Sequence, residues 1–263
     1  MDRIRNIVLV GAGNVASHLS KALISNEFNI VQVVNRSEKY GLKLARHSGA
    51  AFSRSPEEVI SGADLYILAV SDAALPQVAA RLNIRKGIVV HTSGSVGLDV
   101  LDKSSPATGV LYPLQTFRRG KRVSFRHVPI CIEGNSPEVE KRLFELAERL
   151  SGNVHLITSE QRKILHLTAV FAGNFTNYLY TVAEDLLRHY GLPFDLIKPL
   201  IRQTATNIRH SDLFSLQTGP AMREEMPVIE KHMELLKKHK EYQEIYHLIS
   251  RQIIQHKHRN DKL

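Results

Sequence analysis

Gly11, Gly13 and Ala16 follow the apolar run Ile7–Val10 in the spacing Gly-x-Gly-x-x-Ala. The first glycine permits a tight turn, the second lets a backbone approach a diphosphate, and the alanine lets a helix pack closely on a strand. A helix opening at Asn14 and Val15 offers unpaired N–H groups and its positive end to phosphate oxygens. Three small residues are weak evidence alone. Here they follow the first strand of an alternating strand–helix pattern, with a second strand ending at the expected distance, and they predict a dinucleotide site.

That second strand ends in Val33-Val34-Asn35-Arg36-Ser37, without the acid that would accept a ribose 2′-hydroxyl. Arg36 can pair with a 2′-phosphate and stack on adenine, and Asn35 and Ser37 can add hydrogen bonds. The expected cofactor is NADP rather than NAD. Two later strand ends, Val70-Ser71-Asp72 and His91-Thr92-Ser93-Gly94, belong to the same crevice, because ligands collect at carboxyl ends of strands. Val70 and Ser71 fall beside the cofactor ribose. Ser93 falls on the floor where nicotinamide and substrate would meet. His91 is either a crevice group or a packed strand-end residue.

A second constellation lies in the other half of the chain. At 100° per residue, Lys163, His166, Val170, Asn174 and Asn177 share one narrow helix face, flanked by Ala169, Phe171, Ala172, Gly173 and Phe175, which read as buried. Polar groups in an apolar helix need partners or a purpose. The helix either passes over the open end of the nucleotide crevice or has its stripe satisfied internally or at a dimer seam. In the first case His166 or Lys163 gives a proton and Asn174 orients the substrate. Arg223, near the Gly219-Pro220 turn, is a candidate for an anionic substrate group.

The elements that must position these residues are legible in outline. Apolar runs at Ile7–Val10, Ile30–Val34, Leu65–Val70, Ile88–Val90, Gly109–Leu111 and Val128–Ile132 read as buried strands. Helical patterns at Asn14–Ser25, Glu38–His47 and Leu75–Leu82 separate the early ones. This is the signature of a parallel, doubly wound α/β sheet covered on both faces. After a last short strand, Val154–Ile157, Thr158 offers a helix N-cap, and helical stretches follow near Gln161–Tyr190, Phe194–His210 and Met226–Gln255. The expected organisation is a Rossmann domain over residues 1–157 and an all-helical domain over 158–263.

Hydrophobic residues make up 43% of the 263, enough for a sizeable core. The single cysteine, Cys131, reads as a buried thiol, and no apolar run approaches the ~20 residues of a membrane span. Residues Met1–Asn6 lead into a buried strand rather than a signal peptide. Together these suggest a reducing, cytoplasmic setting. The net charge of +9 gathers late in the chain, at Lys237, Lys238, Lys240, Arg251, Lys257 and Arg259, and reads as the solvated face of a helical tail. No zinc-finger spacing or aromatic RNA-binding motif accompanies it, so neither nucleic acid nor membrane is an expected partner.

Taken together, the motifs resemble the bacterial Rossmann-like NADP oxidoreductase candidates with a helical C-terminal domain of unassigned role. The resemblance rests on Gly11 to Ala16, His91 to Gly94, Tyr112-Pro113-Leu114-Gln115-Thr116-Phe117, His166 through Asn177, and Thr218 to Ala221 with Arg223 and His232. In those relatives the third motif often begins with His, so Tyr112 is a departure and receives no acid–base role. More distantly the layout is similar to 6-phosphogluconate and 3-hydroxyisobutyrate dehydrogenases and pyrroline-5-carboxylate reductase. In the hydroxyacid enzymes a Lys stands one turn before an Asn at the substrate oxygen. Here Asn174 matches the Asn, but Val170 stands at the Lys position. The resemblance implies an NADP-dependent oxidoreductase acting on a small carbonyl or imine, or on the corresponding alcohol or amine, in a cleft between the domains. The alternative is a non-catalytic NADP-binding sensor or assembly module. The small residues around Ala169–Gly173 in an apolar helix predict a homodimer joined through the helical domains.

Overall fold

The computed structural model describes residues 3–208 and 212–260. By compactness the chain divides into one unit ending at Phe175 and another beginning at Thr176. The boundary expected after residue 157 falls inside the first unit, so the helix that opens at Ser159 is counted with the sheet.

In the first unit β1 (Asn6–Val10), α1 (Asn14–Ser25), β2 (Asn29–Val34), α2 (Glu38–Ser48), β3 (Ala51–Ser53), β4 (Leu65–Leu68), α3 (Leu75–Ala80), β5 (Ile88–His91) and β6 (Thr108–Pro113) follow in chain order, with 3-10 turns in place of helices between β3 and β4 and between β5 and β6. They form one sheet in the order β3-β2-β1-β4-β5-β6, parallel throughout, and two further strands extend it beyond β6. Side chains alternate across β1. Ile7 and Leu9 join a core with Leu19 and Leu23 of α1, and Val8 and Val10 join a second core with Leu75 and Ala79 of α3. Each such side chain, fully buried, contributes about 1.5–3 kcal/mol. Both faces are therefore covered and the fold is a doubly wound Rossmann sheet. Cys131 is a buried thiol, as expected.

The far edge departs from an all-parallel sheet. β7 (Ile130–Gly134) runs antiparallel to β6, and β8 (Val154–Leu156) runs parallel to β7. The connection between β6 and β7 contains a 3-10 turn, Phe125–His127, and no crossover helix. The chain folds straight back, with Leu114 N–H donating to the Pro129 carbonyl at 2.8 Å. An unanticipated helix, α4 (Pro137–Leu150), then supplies the crossover to β8, capped by Ser136 and burying Val139, Leu143, Leu146, Ala147 and Leu150.

α5 (Ser159–Ala169) opens with a capping box between Thr158 and Gln161 and passes into a π-turn, Val170–Phe175. The second unit holds α6 (Thr176–His189), α7 (Lys198–Asn207), α8 (Pro220–Arg223), α9 (Met226–Leu235) and α10 (Lys240–Asn260), with no strand among its described residues. The stretch expected over Phe194–His210 starts as a 3-10 turn, and its expected end, His210, lies outside the described residues. The stretch expected over Met226–Gln255 breaks between α9 and α10. Among the described residues no helix is long and apolar enough to cross a membrane.

Candidate active site

The dinucleotide end is built on the carboxyl edge of β1, β2 and β4. Gly11 has φ +111°, and a Cβ there would lie 2.3 Å from the Ala69 carbonyl oxygen. Its N–H donates to the Val34 carbonyl at 2.7 Å, tying the turn between β2 and β4. Gly13 caps α1 without a side-chain hydrogen bond, no acid lies in the first turn, and nothing lies within 4 Å of where its Cβ would stand. Asn14 and Val15 bring N–H groups that helix geometry leaves unpaired. An open space beside unpaired donors fits a diphosphate. Asn35 donates to the Ser37 carbonyl at 2.7 Å and shapes the approach to α2, with Arg36 and Ser37 exposed. Val70 lies half-buried beside Gly11, and Ser71 is exposed.

The other end lies at β5 and β6, two and three strand steps from β1, roughly 10–14 Å along the edge. Ser93 is buried, and its Oγ accepts from the N–H groups of Ser95 and Val96, both at 3.1 Å. It therefore shapes the loop, and the point of close approach is its neighbour. A Cβ on Gly94 would fall 2.6 Å from His166 Nδ1 and 2.9 Å from Tyr112 Cζ. The Tyr112 hydroxyl is hydrogen bonded to His166 Nδ1 at 3.0 Å, and the rings meet edge to face at 74°. Tyr112, Leu114, Thr116, His166, Val170 and Asn174 line a cleft of about 440 Å³.

The π-turn explains why His166 and Asn174 share that cleft. Eight residues of straight α-helix would leave them ~80° apart, whereas one extra residue absorbed by a π-turn brings them within ~20°. Not every member of the expected stripe follows. Lys163 pairs with Glu160 at 2.9 Å on the surface, outside the cleft lining. Phe171 and Phe175, expected to be buried, are 60% and 51% exposed. Arg223 forks onto Glu225 through two bonds of 2.9 Å, so its guanidinium already holds a carboxylate.

His91 is a packed strand-end residue. Its Nδ1 accepts from Ser93 N–H at 3.1 Å and its Nε2 faces the Gly97 carbonyl at 3.3 Å. Burial, with the Arg162 charge adding to it, pushes its pKa down to about 4. Burial likewise pushes the Tyr112 phenol up to about 12, so it stays a neutral hydroxyl.

Residues 2–115 match the Rossmann-like domain family, and residues 128–253 match a domain of unknown function, DUF2520. A candidate NADP oxidoreductase from Bacteroides fragilis is 40% identical over 95% of this chain and 98% of its own, with a TM-score of 0.88. The chain belongs to this family of Rossmann-like proteins with a DUF2520 domain. An imine reductase from Myxococcus stipitatus in complex with NADP+ is 14% identical over 95% of this chain and 94% of its own, with a TM-score of 0.66. A pyrroline-5-carboxylate reductase from Coxiella burnetii is 18% identical over 95% and 99%, with a TM-score of 0.57. Both share the fold. No curated protein matches the sequence.

Two residues of this DUF2520 protein escaped the sequence reading. Tyr112 was discounted as a departure, yet it is the partner of His166. Arg162 drew no attention in the sequence, yet it is fully buried. Its guanidinium donates to Glu133 at 2.5 Å, to the Val96 carbonyl at 2.6 Å and to Ser159 Oγ at 3.1 Å. Burial pushes the Glu133 carboxyl up, but hydrogen bonds from Ser159 and Arg162 outweigh it and hold it below the usual range. These contacts fasten α5 to β7 and to the loop after Gly94, one helical turn before His166. Thr158, an N-cap followed by an Arg four residues later, is the signal available in the sequence.

Proposed function

We propose that this chain is an NADP-dependent oxidoreductase that reduces a small carbonyl or imine, or oxidises the corresponding alcohol or amine. One observation carries the reading. A hydrogen-bonded Tyr112–His166 pair and Asn174 line one cleft, beside the loop that continues the dinucleotide edge. Gly11, Gly13, Asn14 and Val15 hold the diphosphate, Asn35, Arg36 and Ser37 the adenosine 2′-phosphate, and Val70 and Ser71 the ribose. NADPH, when bound, supplies the hydride. His166 gives the proton to the substrate nitrogen or oxygen, Tyr112 holds the imidazole in place, and Asn174 orients the reacting group. Ser93 keeps the loop in shape and so positions Gly94. Lys163, paired with Glu160, receives no role.

NADPH oxidation followed by absorbance against a panel of small imines, keto acids and aldehydes tests this. Turnover is expected with at least one class. His166→Ala and Asn174→Ala should lower it by about a hundredfold, with NADPH affinity within about twofold of wild type. Equal affinity for NADPH and NADH would refute the cofactor assignment. Val170, standing where the hydroxyacid enzymes carry a Lys, favours the second reading, a non-catalytic NADP sensor. Tight NADPH binding without turnover of any panel member selects it.

A further inference from the structure

The loop after β6 carries the basic run Arg118-Arg119-Gly120-Lys121-Arg122, in the interval 116–127 between the two family matches. It is firmly seated. Phe117 is buried against Phe125, with ring centroids 5.5 Å apart and stacked, and against His18 at 5.0 Å. His18 Nε2 lies 2.9 Å from the Lys121 carbonyl. From this base Arg119 reaches back across the sheet to the dinucleotide turn. One guanidinium nitrogen donates to the Ala12 carbonyl at 2.9 Å, and the guanidinium carbon lies 4.1 Å over the Tyr40 ring centroid. Ala12 stands between the two turn glycines, and Tyr40 sits in the first turn of α2, just after Arg36 and Ser37. Arg119 therefore joins the diphosphate cradle to the adenosine end.

A groove of about 460 Å³ opens there between α1 and α2, lined by Lys21, Lys39, Tyr40, Lys43 and Arg119 among others, with no carboxylate in its walls. Among the described residues none of Arg36, Lys39, Lys43 and Arg119 forms an ion pair, and the acid at hand, Glu38, pairs with Arg54 at 3.7 Å. Arg36, Lys39 and Arg119 about the first turn of α2, with Lys43 one turn further on, repel each other, and those at the first turn oppose the helix dipole. A dianion relieves both. A guanidinium presents five N–H donors in a rigid fork, and the bond to Ala12 leaves others for a phosphate.

We infer that Arg119 is a second specificity determinant for the 2′-phosphate of NADP, held between Ala12 and Tyr40 and assisted by Lys39 and Lys43. This rests on the NADP reading above. The test is equilibrium titration calorimetry of the full chain with NADPH, NADH, adenosine 2′,5′-bisphosphate and 5′-AMP. For Arg119→Ala, affinity for NADPH and the bisphosphate should fall about tenfold or more, with NADH and 5′-AMP changed less than about twofold. Equal losses for phosphorylated and unphosphorylated ligands, or no loss, overturn the inference. If Arg119→Ala does not fold, Lys39→Gln/Lys43→Gln leaves the loop anchors intact and should show the same selective loss, and unchanged selectivity then overturns it. A wild-type protein without NADPH preference overturns the cofactor reading itself. A wild type that prefers NADPH, with variants that keep the preference, overturns this inference alone.

Discussion

In the sheet-bearing region Ile7, Val8, Leu9 and Val10 are at most 2% exposed, whereas in the helical region Leu196, Leu200 and Ile208 are more than 60% exposed. A sheet with helices on both faces encloses its own apolar side chains. The described residues after Phe175 include few buried apolar ones, Ala221, Ile229 and Leu236. Tyr190, Leu192, Leu213 and Leu235 add to the exposed set, and Phe171 and Phe175 do the same on the π-turn. Such a surface belongs against another surface, and we propose that a second copy of this chain covers it.

The largest expected effect breaks or secures that contrast. Light scattering should report a mass near twice the 29.6 kDa of one chain. Leu196→Asp/Leu200→Asp should raise the dimer dissociation constant by roughly 10⁴-fold, since each buried unpaired charge costs about 3 kcal/mol or more. A wild type that is monomeric at micromolar concentration would show that the helical region tolerates its exposed surface alone.

The sheet-bearing region is sensitive to a different kind of damage. Arg162→Met leaves Glu133 beside an apolar side chain, and urea unfolding should show a loss of about 3–5 kcal/mol. Glu133→Gln in the Arg162→Met background should recover part of it. A loss below about 1 kcal/mol would mean that α5 is held by its apolar contacts.

The same contrast governs what could be read from residues alone. The parallel core was legible because buried strands are short, apolar and separated by amphipathic helices. Gly11, Gly13 and Ala16 were legible because the turn chemistry depends on three positions. β3 escaped because three half-exposed edge residues carry no periodicity. The reversal of β7 escaped because direction depends on how residues 114–129 fold back, which composition does not encode. Tyr112 and Arg162 escaped for a shared reason, that their partners His166 and Glu133 are 54 and 29 residues away. The π-turn altered the helix phase, so the stripe from Lys163 to Asn174 lost Lys163 and kept His166.

A smaller effect follows from His91. Its pKa is about 4 when folded, against an ordinary 6.5, chiefly through burial. Between pH 6.5 and 4 the unfolded chain holds a proton that the folded chain does not. Stability should therefore be complete above pH 6.5 and fall as pH drops through that window, by about 3 kcal/mol in total. Denaturant midpoints across pH 4–7 would measure it, and His91→Gln should flatten this part of the profile. A wild-type profile that is already flat would mean that His91 meets water when folded.

The smallest effect concerns the two rings that join the sheet to α5. Tyr112 stays neutral, and its hydroxyl can donate to His166 Nδ1 when the ring proton sits on Nε2. That leaves Nε2–H as the free donor of the imidazole. Tyr112→Phe keeps the edge-to-face packing and removes one hydrogen bond, worth about 1 kcal/mol. Turnover should fall about three- to tenfold, while NADPH affinity and melting temperature stay near wild type. Tyr112→His restores a polar ring at the same strand position and should recover most of the turnover. If Tyr112→Phe turns over at the wild-type rate, the pair is a packing contact, and the orientation of His166 rests on Arg162 and Gly94 alone.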